Sequence, residues 1–581
     1  MINILQNRET KYYYDEAMRL SKVELPDGET VSYRYDELNR VISQINSNRT
    51  GTNYTYTPAG RIKSIEHFKG LNGHGQVLLS YAYIYNARGQ RILEVEGNGQ
   101  VTAYQYDPVG RLTKVYYPFS GGKKEINRIE RAHYFGLEVN LDNHKEYYRQ
   151  KNNPDEYIAK LLYDYRNELD VLHREIRESG RPLDLYNNGY YIEEYRYDPA
   201  GNVIMEGNAW GTINFEYNAA NQLIRAGNRT YSYDANGNLI KEGYGGDYVE
   251  YSYNYENRLI KASNLSRNDK LFGGEHPFTG TITFAYDALG RKVVKELAPA
   301  NINRVMINGY YYDGGGVNIL AEYEDEIWDI NQYRLGKKNT TGQIPGGQVK
   351  YFNEYYYGLD LIAFNNMNHP NPWYINRDIN FYHKDALGSI TAITDRYENV
   401  VERYRYDAYG NPYEGRLLHM PKNNPYGFTG QRFEPELRMY SFAYRTYNPM
   451  SMRWMTVDPV RDGTNWYLYV SGDPVNLWDP LGLKEVIVEK QYKAEVYFYY
   501  FSMFVEILSG SEQGDPYIRY EYYVEITEEV PDHYELIDEK IQIEKSKIDY
   551  RLPSISWTEE GVIKYIWGAP NESGIISEDE K

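Results

Sequence analysis

Asp458 and Asp479 each stand directly before a proline, 21 residues apart. Taken alone, an Asp-Pro pair caps a turn. Two carboxylates do acid–base chemistry only where the fold brings them together. Asp462 and Asp473, between them, read as solvated loop residues. Cysteine chemistry is excluded, because the 581 residues include no Cys: disulfides, thiolate metal sites and cysteine nucleophiles are ruled out. The same absence leaves the redox compartment open. No cofactor and no metal is expected. His533, in Pro531-Asp532-His533-Tyr534, has acidic neighbours and reads as incidental. Whatever the carboxylates do depends on the elements that carry them.

Those elements are written as a repeat. An aromatic residue, any residue, then Tyr, mostly followed by Asp or Asn, with Gly or Asn four positions after the Tyr, recurs along most of the chain. Eleven copies are anchored on Tyr14, Tyr35, Tyr56, Tyr85, Tyr106, Tyr197, Tyr217, Tyr233, Tyr253, Tyr286 and Tyr406. All eleven have an aromatic residue two positions earlier, and ten have Gly or Asn four positions later, Met18 being the exception. Residues two apart on a strand share a face, so each aromatic pair stacks on one side of a sheet. The Asp or Asn bonds its own backbone two residues on, and Gly or Asn accepts a left-handed conformation. The unit is strand, tight turn, strand.

Anchors recur at 21 residues between Tyr14, Tyr35 and Tyr56, and at 20 between Tyr197 and Tyr217. A hairpin this short cannot bury its own apolar face, so copies must pair edge to edge. The fold class is mostly β: a long antiparallel sheet that curls into a hollow cage or part of one, with a small β-rich or α+β tail. Ordinary β-sandwich domains with chance turns would not repeat one grammar eleven times. Degenerate copies, around Tyr310 to Glu324 for instance, are expected to add hairpins. One segment, 153–180, breaks the β pattern: Asn153-Pro154 starts a helix, Gly180 stops it, and Ile158, Leu161, Leu162, Tyr165, Leu169, Leu172 and Ile176 share a stripe. It is expected to pack over a sheet face or edge.

Charge is uneven. Residues 484–581 carry 10 Lys and Arg against 22 Asp and Glu, a net of −12, while the rest carries 54 against 60, a net of −6. An acidic chain is a poor wrapper of nucleic acid, and none is expected on the repeats. No apolar run approaches membrane-spanning length, and Met1-Ile2-Asn3-Ile4-Leu5-Gln6-Asn7-Arg8 lacks a secretory apolar region. Export would need a dedicated machine or a longer parent chain. The first repeat begins by Tyr12, which points to such a parent.

From Ile379 the sequence changes character. Phe381-Tyr382-His383-Lys384-Asp385-Ala386-Leu387-Gly388-Ser389 is followed by Gly427-Phe428-Thr429-Gly430-Gln431, Tyr444-Arg445-Thr446-Tyr447-Asn448-Pro449 and Arg453-Trp454-Met455-Thr456-Val457-Asp458-Pro459, and the series closes on Asp479-Pro480-Leu481-Gly482-Leu483. This order resembles the RHS repeat-associated core domain, and the upstream hairpins resemble the YD repeats of the same family, over residues 12 to 483. The resemblance implies three regions: a repeat shell at 1–372, a core domain at 373–483 and a variable C-terminal payload at 484–581. Like toxin-complex C subunits and teneurin shells, such proteins spiral their hairpins into a hollow β-cage that holds the payload.

Several members of the family cut their own backbone after the Asp-Pro-x-Gly-Leu signature with two Asp and one Arg. Carried over by motif, these are Asp458, Asp479 and Arg445, with cleavage between Leu483 and Lys484. Two carboxylates held close cannot both ionise, so one keeps a proton while the other activates water. Arg445 is expected to orient a carboxylate through a two-point hydrogen bond. The usual Leu-Gly-Arg-Trp is here Ser451-Met452-Arg453-Trp454, which loses a turn glycine, and the spacing between the aspartates is slightly short.

In the tail, 494–500 and 517–524 have strand-like composition, 532–548 is mixed, and no nuclease, deaminase, protease or nucleotide-binding signature occurs. Two functions follow. One is a shell, secreted or at the cell surface, that encloses and releases a C-terminal effector in intercellular competition or toxin delivery. Its partners would be its own payload, a secretion-system or toxin-delivery component and an immunity protein. The other is a non-catalytic extracellular adhesive protein that binds glycans or cell surfaces. A break after Leu483 separates them.

Overall fold

The computed structural model describes residues 9–70, 75–118, 156–165, 190–208, 211–244, 247–265, 278–300, 304–328, 348–366, 378–414, 424–461 and 463–483, and the strands Val486–Ile487, Ser502–Val505, Tyr520–Glu525, Ser554–Trp557 and Ile563–Ile566. The chain forms two compact units, Glu9–Gln491 in one and Met1–Arg8 with Tyr492–Lys581 in the other.

The first unit holds one antiparallel sheet of 27 strands, from Lys11–Tyr14 to Val400–Arg403. Each strand pairs with the next in sequence, as the repeat requires: Lys11–Tyr14 with Leu20–Glu24, that strand with Thr30–Tyr35, and so on to Ile390–Asp395 with Val400–Arg403. Among the described residues no ladder joins the first strand to the last. All eleven anchor tyrosines end their strands, ten in the long sheet and Tyr406 in the separate pair of Arg405–Tyr406 with Pro412–Glu414. The strands Arg304–Tyr312 and Ile319–Trp328 form the expected degenerate hairpin.

The turn chemistry is the one the grammar implies. Asp107 Oδ1 accepts the N–H groups of Val109 and Arg111 at 3.0 and 2.9 Å, and Oδ2 accepts Arg111 Nε at 2.7 Å. Gly110 closes the turn at φ 101°. Met18, the exception, is left-handed all the same at φ 57°, because the turn dictates the conformation whatever residue occupies it. At Tyr56 the following residue is Thr57, whose hydroxyl accepts Arg61 N–H at 3.2 Å in place of a carboxylate.

Helix Glu156–Asp164 packs Ile158, Leu161 and Leu162 onto a sheet face formed by Ala82, Ile84, Leu93, Val95 and Tyr116. Its expected continuation, with Leu169, Leu172 and Ile176, lies outside the described residues. Beyond the long sheet, four short strands, Arg432–Glu434, Met439–Ser441, Thr446–Asn448 and Arg453–Trp454, pair in sequence order. Their side chains share one apolar core with the long sheet, joining Tyr104, Ile213 and Leu259 to Phe433, Tyr440 and Trp454. In the second unit Tyr520–Glu525 falls on an expected strand and pairs with Ser502–Val505 and Ile563–Ile566. Segments 494–500 and 532–548 lie outside the described residues.

Candidate active site

Three turns of the small sheet and of the chain after it bring Arg445, Asp458 and Asp479 together. Arg445 closes the turn after Met439–Ser441, its carbonyl accepting Phe442 N–H at 3.0 Å. Asp458 follows Arg453–Trp454, and its own N–H donates to Trp466 O at 3.1 Å. Asp479 follows Leu477–Trp478. Aromatic packing fixes this platform: Phe442 and Trp454 meet edge to face at 4.8 Å, and Tyr447 stacks on Tyr469 at 4.2 Å. The loop that carries Asp458 is pinned to the long sheet. Arg453 Nη1 donates to Asn202 Oδ1 at 2.8 Å, Asn465 Nδ2 to the same oxygen at 2.7 Å, and Tyr467 Oη to Gly237 O at 2.7 Å.

Arg445 lies between the two carboxylates. Its Nη1 is 3.7 Å from Asp458 Oδ1 and its Nη2 is 3.4 Å from Asp479 Oδ2. The expected two-point grip on one carboxylate is therefore replaced by one contact to each. Nε donates to Gly482 O at 2.5 Å, Nη1 also to Trp466 O at 3.3 Å, and the guanidinium lies 4.1 Å from the centre of the Trp454 ring. Arg445, Asp458 and Asp479 are all buried, at 6%, 5% and 3% exposure. Burial lowers the pKa of Arg445, and the two carboxylates oppose that shift.

Asp479 also holds the signature loop. Its Oδ1 accepts the N–H groups of Leu481, Gly482 and Leu483 at 3.2, 2.7 and 3.1 Å. Gly482 is left-handed at φ 80°, and a Cβ there would lie 3.1 Å from Phe442 Cβ and 3.2 Å from Arg445 N. Asp458 Oδ1 accepts Val460 N–H at 3.0 Å, so both aspartates do cap their turns. Leu483 is half-buried and lines, with Arg445, Asp458, Asp479, Trp454 and Trp466, a cavity of about 300 Å³. Lys484 lies outside the described residues, as do His533 and Asp462.

The lost glycine does not change the turn: Met452 takes a left-handed conformation at φ 59°, buried in the aromatic core. Asp473 corrects the sequence reading. It is not solvated but 7% exposed, taking Asn476 Nδ2 at 2.8 Å and Gln90 Nε2 at 3.2 Å, and burial pushes its carboxyl up to about 6. Gln90 lies on a hairpin turn almost four hundred residues earlier, so no local spacing signals the pair. Sequence reasoning also missed Trp454 as the face on which Arg445 lies. Among the described residues no cluster of three or more His, Asp or Glu is suited to hold a metal.

The sequence matches the teneurin YD-shell family over residues 123–306 and the RHS repeat over residues 14–51 and 85–120. It is 27% identical over 216 residues to a tRNA nuclease, WapA, of Bacillus subtilis, covering 36% of this chain and 8% of that protein. It is 25% identical over 119 residues to the toxin subunit YenC1 of Yersinia entomophaga, covering 20% of this chain and 12% of that one. Among solved structures, a Photorhabdus luminescens Tc holotoxin pore carrying a TccC3 mutant superposes with a TM-score of 0.55 at 17% identity, over 84% of this chain and 21% of that chain. A TcdB2-TccC3 structure gives 0.54 at 16% identity, over 82% and 22%. This chain thus spans a small part of the relatives it matches. With its Tyr-anchored hairpins running along one antiparallel sheet, the chain carries RHS and YD-shell repeats over the matched residues.

Proposed function

We propose that this chain is the shell of a toxin-type protein that cuts itself between Leu483 and Lys484 and carries residues 484–581 as an effector. In this reading 1–372 forms the shell, 373–483 is the core domain that presents the site, and the protein is exported. The relatives, a tRNA nuclease and a toxin subunit, support a toxin-related role. The observation that carries the self-cleavage is the sharing of one buried guanidinium by Asp458 and Asp479, in a cavity that Leu483 also lines.

The hydrolysis needs one water. One carboxylate takes a proton from it as its oxygen attacks the Leu483 carbonyl carbon; the other carboxyl gives a proton to the Lys484 nitrogen as the C–N bond breaks. Asp479, with Oδ1 engaged by three N–H groups, fits the positioning of the loop, and Asp458 fits the activation of water. Arg445 fixes Gly482 O next to the scissile bond and balances negative charge in a buried site. The two-residue ladder between Leu477–Trp478 and Val486–Ile487 straddles the bond, so the fragments are to be separated under denaturing conditions.

The experiment is mass spectrometry of denatured, freshly expressed protein. A large fragment ending at Leu483 and a small one starting at Lys484 are expected, and both should disappear in Asp458→Asn and Asp479→Asn. A wild-type chain that keeps full mass on prolonged incubation refutes the reading and favours a non-catalytic adhesive protein.

A further inference from the structure

Two histidines far apart in sequence touch where early strands of the sheet pack on late ones. His67 lies on strand Ile62–Lys69 and His383 on strand Asp378–Lys384. Both are buried, at 0% and 1% exposure. Their rings stand edge to face with centroids 5.0 Å apart, and their Nδ1 atoms are 3.4 Å apart. His67 Nε2 is 3.0 Å from the carbonyl oxygen of Lys384, which only accepts, so Nε2 carries the hydrogen and Nδ1 of neutral His67 is an acceptor. Thr52 Oγ1, 2.9 Å away, donates to that Nδ1. His383 then turns Nδ1–H toward His67, and its Nε2 accepts from Thr394 Oγ1 at 2.9 Å.

With both rings neutral, Thr52 Oγ1 and the more distant His383 Nδ1 share the single lone pair of His67 Nδ1. One proton can be taken up by reversing the His383 tautomer; a second sets N–H against N–H at 3.4 Å. The charged neighbours give no help. Lys384 is a cation whose Nζ is held by Asp360 at 2.6 Å, and Arg403, at the end of strand Val400–Arg403, disfavours a further positive charge. Tyr81, edge-on to His67 at 6.3 Å, is a neutral phenol. Burial first, then Arg403, hold His383 down at about 4, and burial with His383 holds His67 well below its ordinary value. Among the described residues no backbone ladder joins these two strands. The other crossings here are the buried clusters of Ile379 and Phe381 with Val23 and Val31 and of Ile65 and Tyr83 with Ala386, which do not titrate below pH 7, the Asn48 Nδ2 bond to Asp395 O at 2.7 Å, and the partly exposed ion pairs Arg49–Glu398 and Arg396–Glu29, which contribute little.

We propose that the His67–His383 pair is an acid-sensitive latch: it closes the contact between strands Ile62–Lys69 and Asp378–Lys384 at neutral pH, and acidification parts them. The sign follows from linkage. A histidine whose closed-state pKa is depressed binds its proton preferentially when open, so its contribution is complete above the ordinary value of 6.5 and is lost as pH falls below it. Asp385, in the turn after His383, acts the other way: burial raises its carboxyl to about 6, so closure gains as it protonates. Two histidines against one carboxyl leave a net increase in opening of about 10- to 100-fold between pH 7 and pH 5.

The test is hydrogen–deuterium exchange of the full chain at pH 7, 6 and 5, corrected for intrinsic exchange. Peptides covering 62–69 and 378–384 should lose protection by that factor on acidification, while strands Gly211–Tyr217 and Arg229–Tyr233 change little. In His67→Gln with His383→Gln the selective loss should vanish. If that double variant fails to fold, exchange of the imidazole C2 hydrogens in the wild type decides: both rings should titrate well below 6.5. Uniform loss across the sheet, no loss, a loss that persists in the variant, or titration near 6.5 overturns the latch.

Discussion

The hydroxyl of Tyr56 donates to the carbonyl of Val41 at 2.6 Å, from the end of one hairpin to the start of a strand in the hairpin before it. The same bond recurs from Tyr35 to Leu20, Tyr106 to Arg91, Tyr253 to Leu239 and Tyr286 to Leu259, at 2.6 to 2.8 Å. Arg40 adds a second brace, its guanidinium 4.5 Å from the Tyr56 ring centre while it pairs with Asp36 at 2.6 Å. The anchor tyrosine therefore ties consecutive repeats and does more than fill a sheet face.

Tyr56→Phe should cost about 1 kcal/mol, since it removes one hydrogen bond and keeps the ring. Arg40→Ala should cost a similar amount through the lost ring contact and ion pair, at about 0.5–1 kcal/mol for the ring contact. Because the two act on one ring, the double variant should fall short of additivity by about 0.5 kcal/mol or more. Urea midpoints at constant slope check this, and strict additivity would mean that the braces are independent.

Met452→Gly, which restores the family's turn residue, should destabilise. Glycine relieves a left-handed φ of 59°, worth about 1–2 kcal/mol. The same change removes a side chain 2% exposed in the aromatic core, and truncating a buried Met costs about 2–5 kcal/mol. The packing loss is larger, so the melting temperature should fall. A rise would show that strain dominates at this turn.

How much of this was legible in the sequence varies by length scale. The hairpins were, because the left-handed turn favours few residues, and Asp107 with Gly110 writes that demand locally. Helix Glu156–Asp164 was legible for the same reason, its stripe being local. The members of the candidate site could be named by motif. That Arg445 divides itself between Asp458 and Asp479 could not, since it depends on where three separate turns meet. Asp473 was misread and the His67–His383 contact went unseen for one cause: the partners Gln90 and His383 are remote in sequence, and burial by a distant segment leaves no mark on local composition.

Lys292 and Lys295 on the long sheet hold Glu434 of the small sheet at 2.8 and 3.0 Å, and Lys295 also holds Glu436 at 3.1 Å. Burial alone would raise the Glu434 carboxyl, but Lys292, Lys295 and Arg432 together keep it well below the usual carboxylate range. Glu434→Gln should therefore cost about 3–5 kcal/mol, because it leaves buried ammonium groups short of charge. A depressed carboxylate contributes stability above its unfolded value of 4.5 and loses it as pH falls. Wild type should thus lose stability with acid below that value, and the variant should lose less. Identical pH slopes would remove Glu434 from the account.

Gly482→Ala tests the loop without removing any proposed catalytic group. The added Cβ would meet Phe442 Cβ at 3.1 Å and Arg445 N at 3.2 Å, at a φ that alanine resists. The loop should shift by a few tenths of an ångström, loosening the N–H groups of Gly482 and Leu483 on Asp479. Self-cleavage should slow about tenfold or more, as expected when a reacting bond leaves its aligned geometry, while the urea midpoint moves little. Unchanged cleavage would show that the loop's grip is not needed.

Arg445→Lys separates charge from geometry at the candidate site. A lysine keeps one positive charge but has a single nitrogen, whereas Arg445 spends Nε on Gly482 O, Nη1 on Asp458 and Nη2 on Asp479. An ammonium cannot reach all three and loses the flat contact with Trp454. If Arg445 served only to balance charge, Arg445→Lys would cleave near the wild-type rate and only Arg445→Ala would fail. The bridging geometry requires instead that both fail, with at least a hundredfold loss in Arg445→Lys, on the order of 3 kcal/mol in the barrier. The alanine variant should also be less stable, because it leaves buried negative charge without its cation. Appearance of the Lys484 fragment over time, measured at two protein concentrations, checks both points: the rate should not change on dilution, and near-wild-type cleavage by Arg445→Lys would reduce Arg445 to a counter-ion.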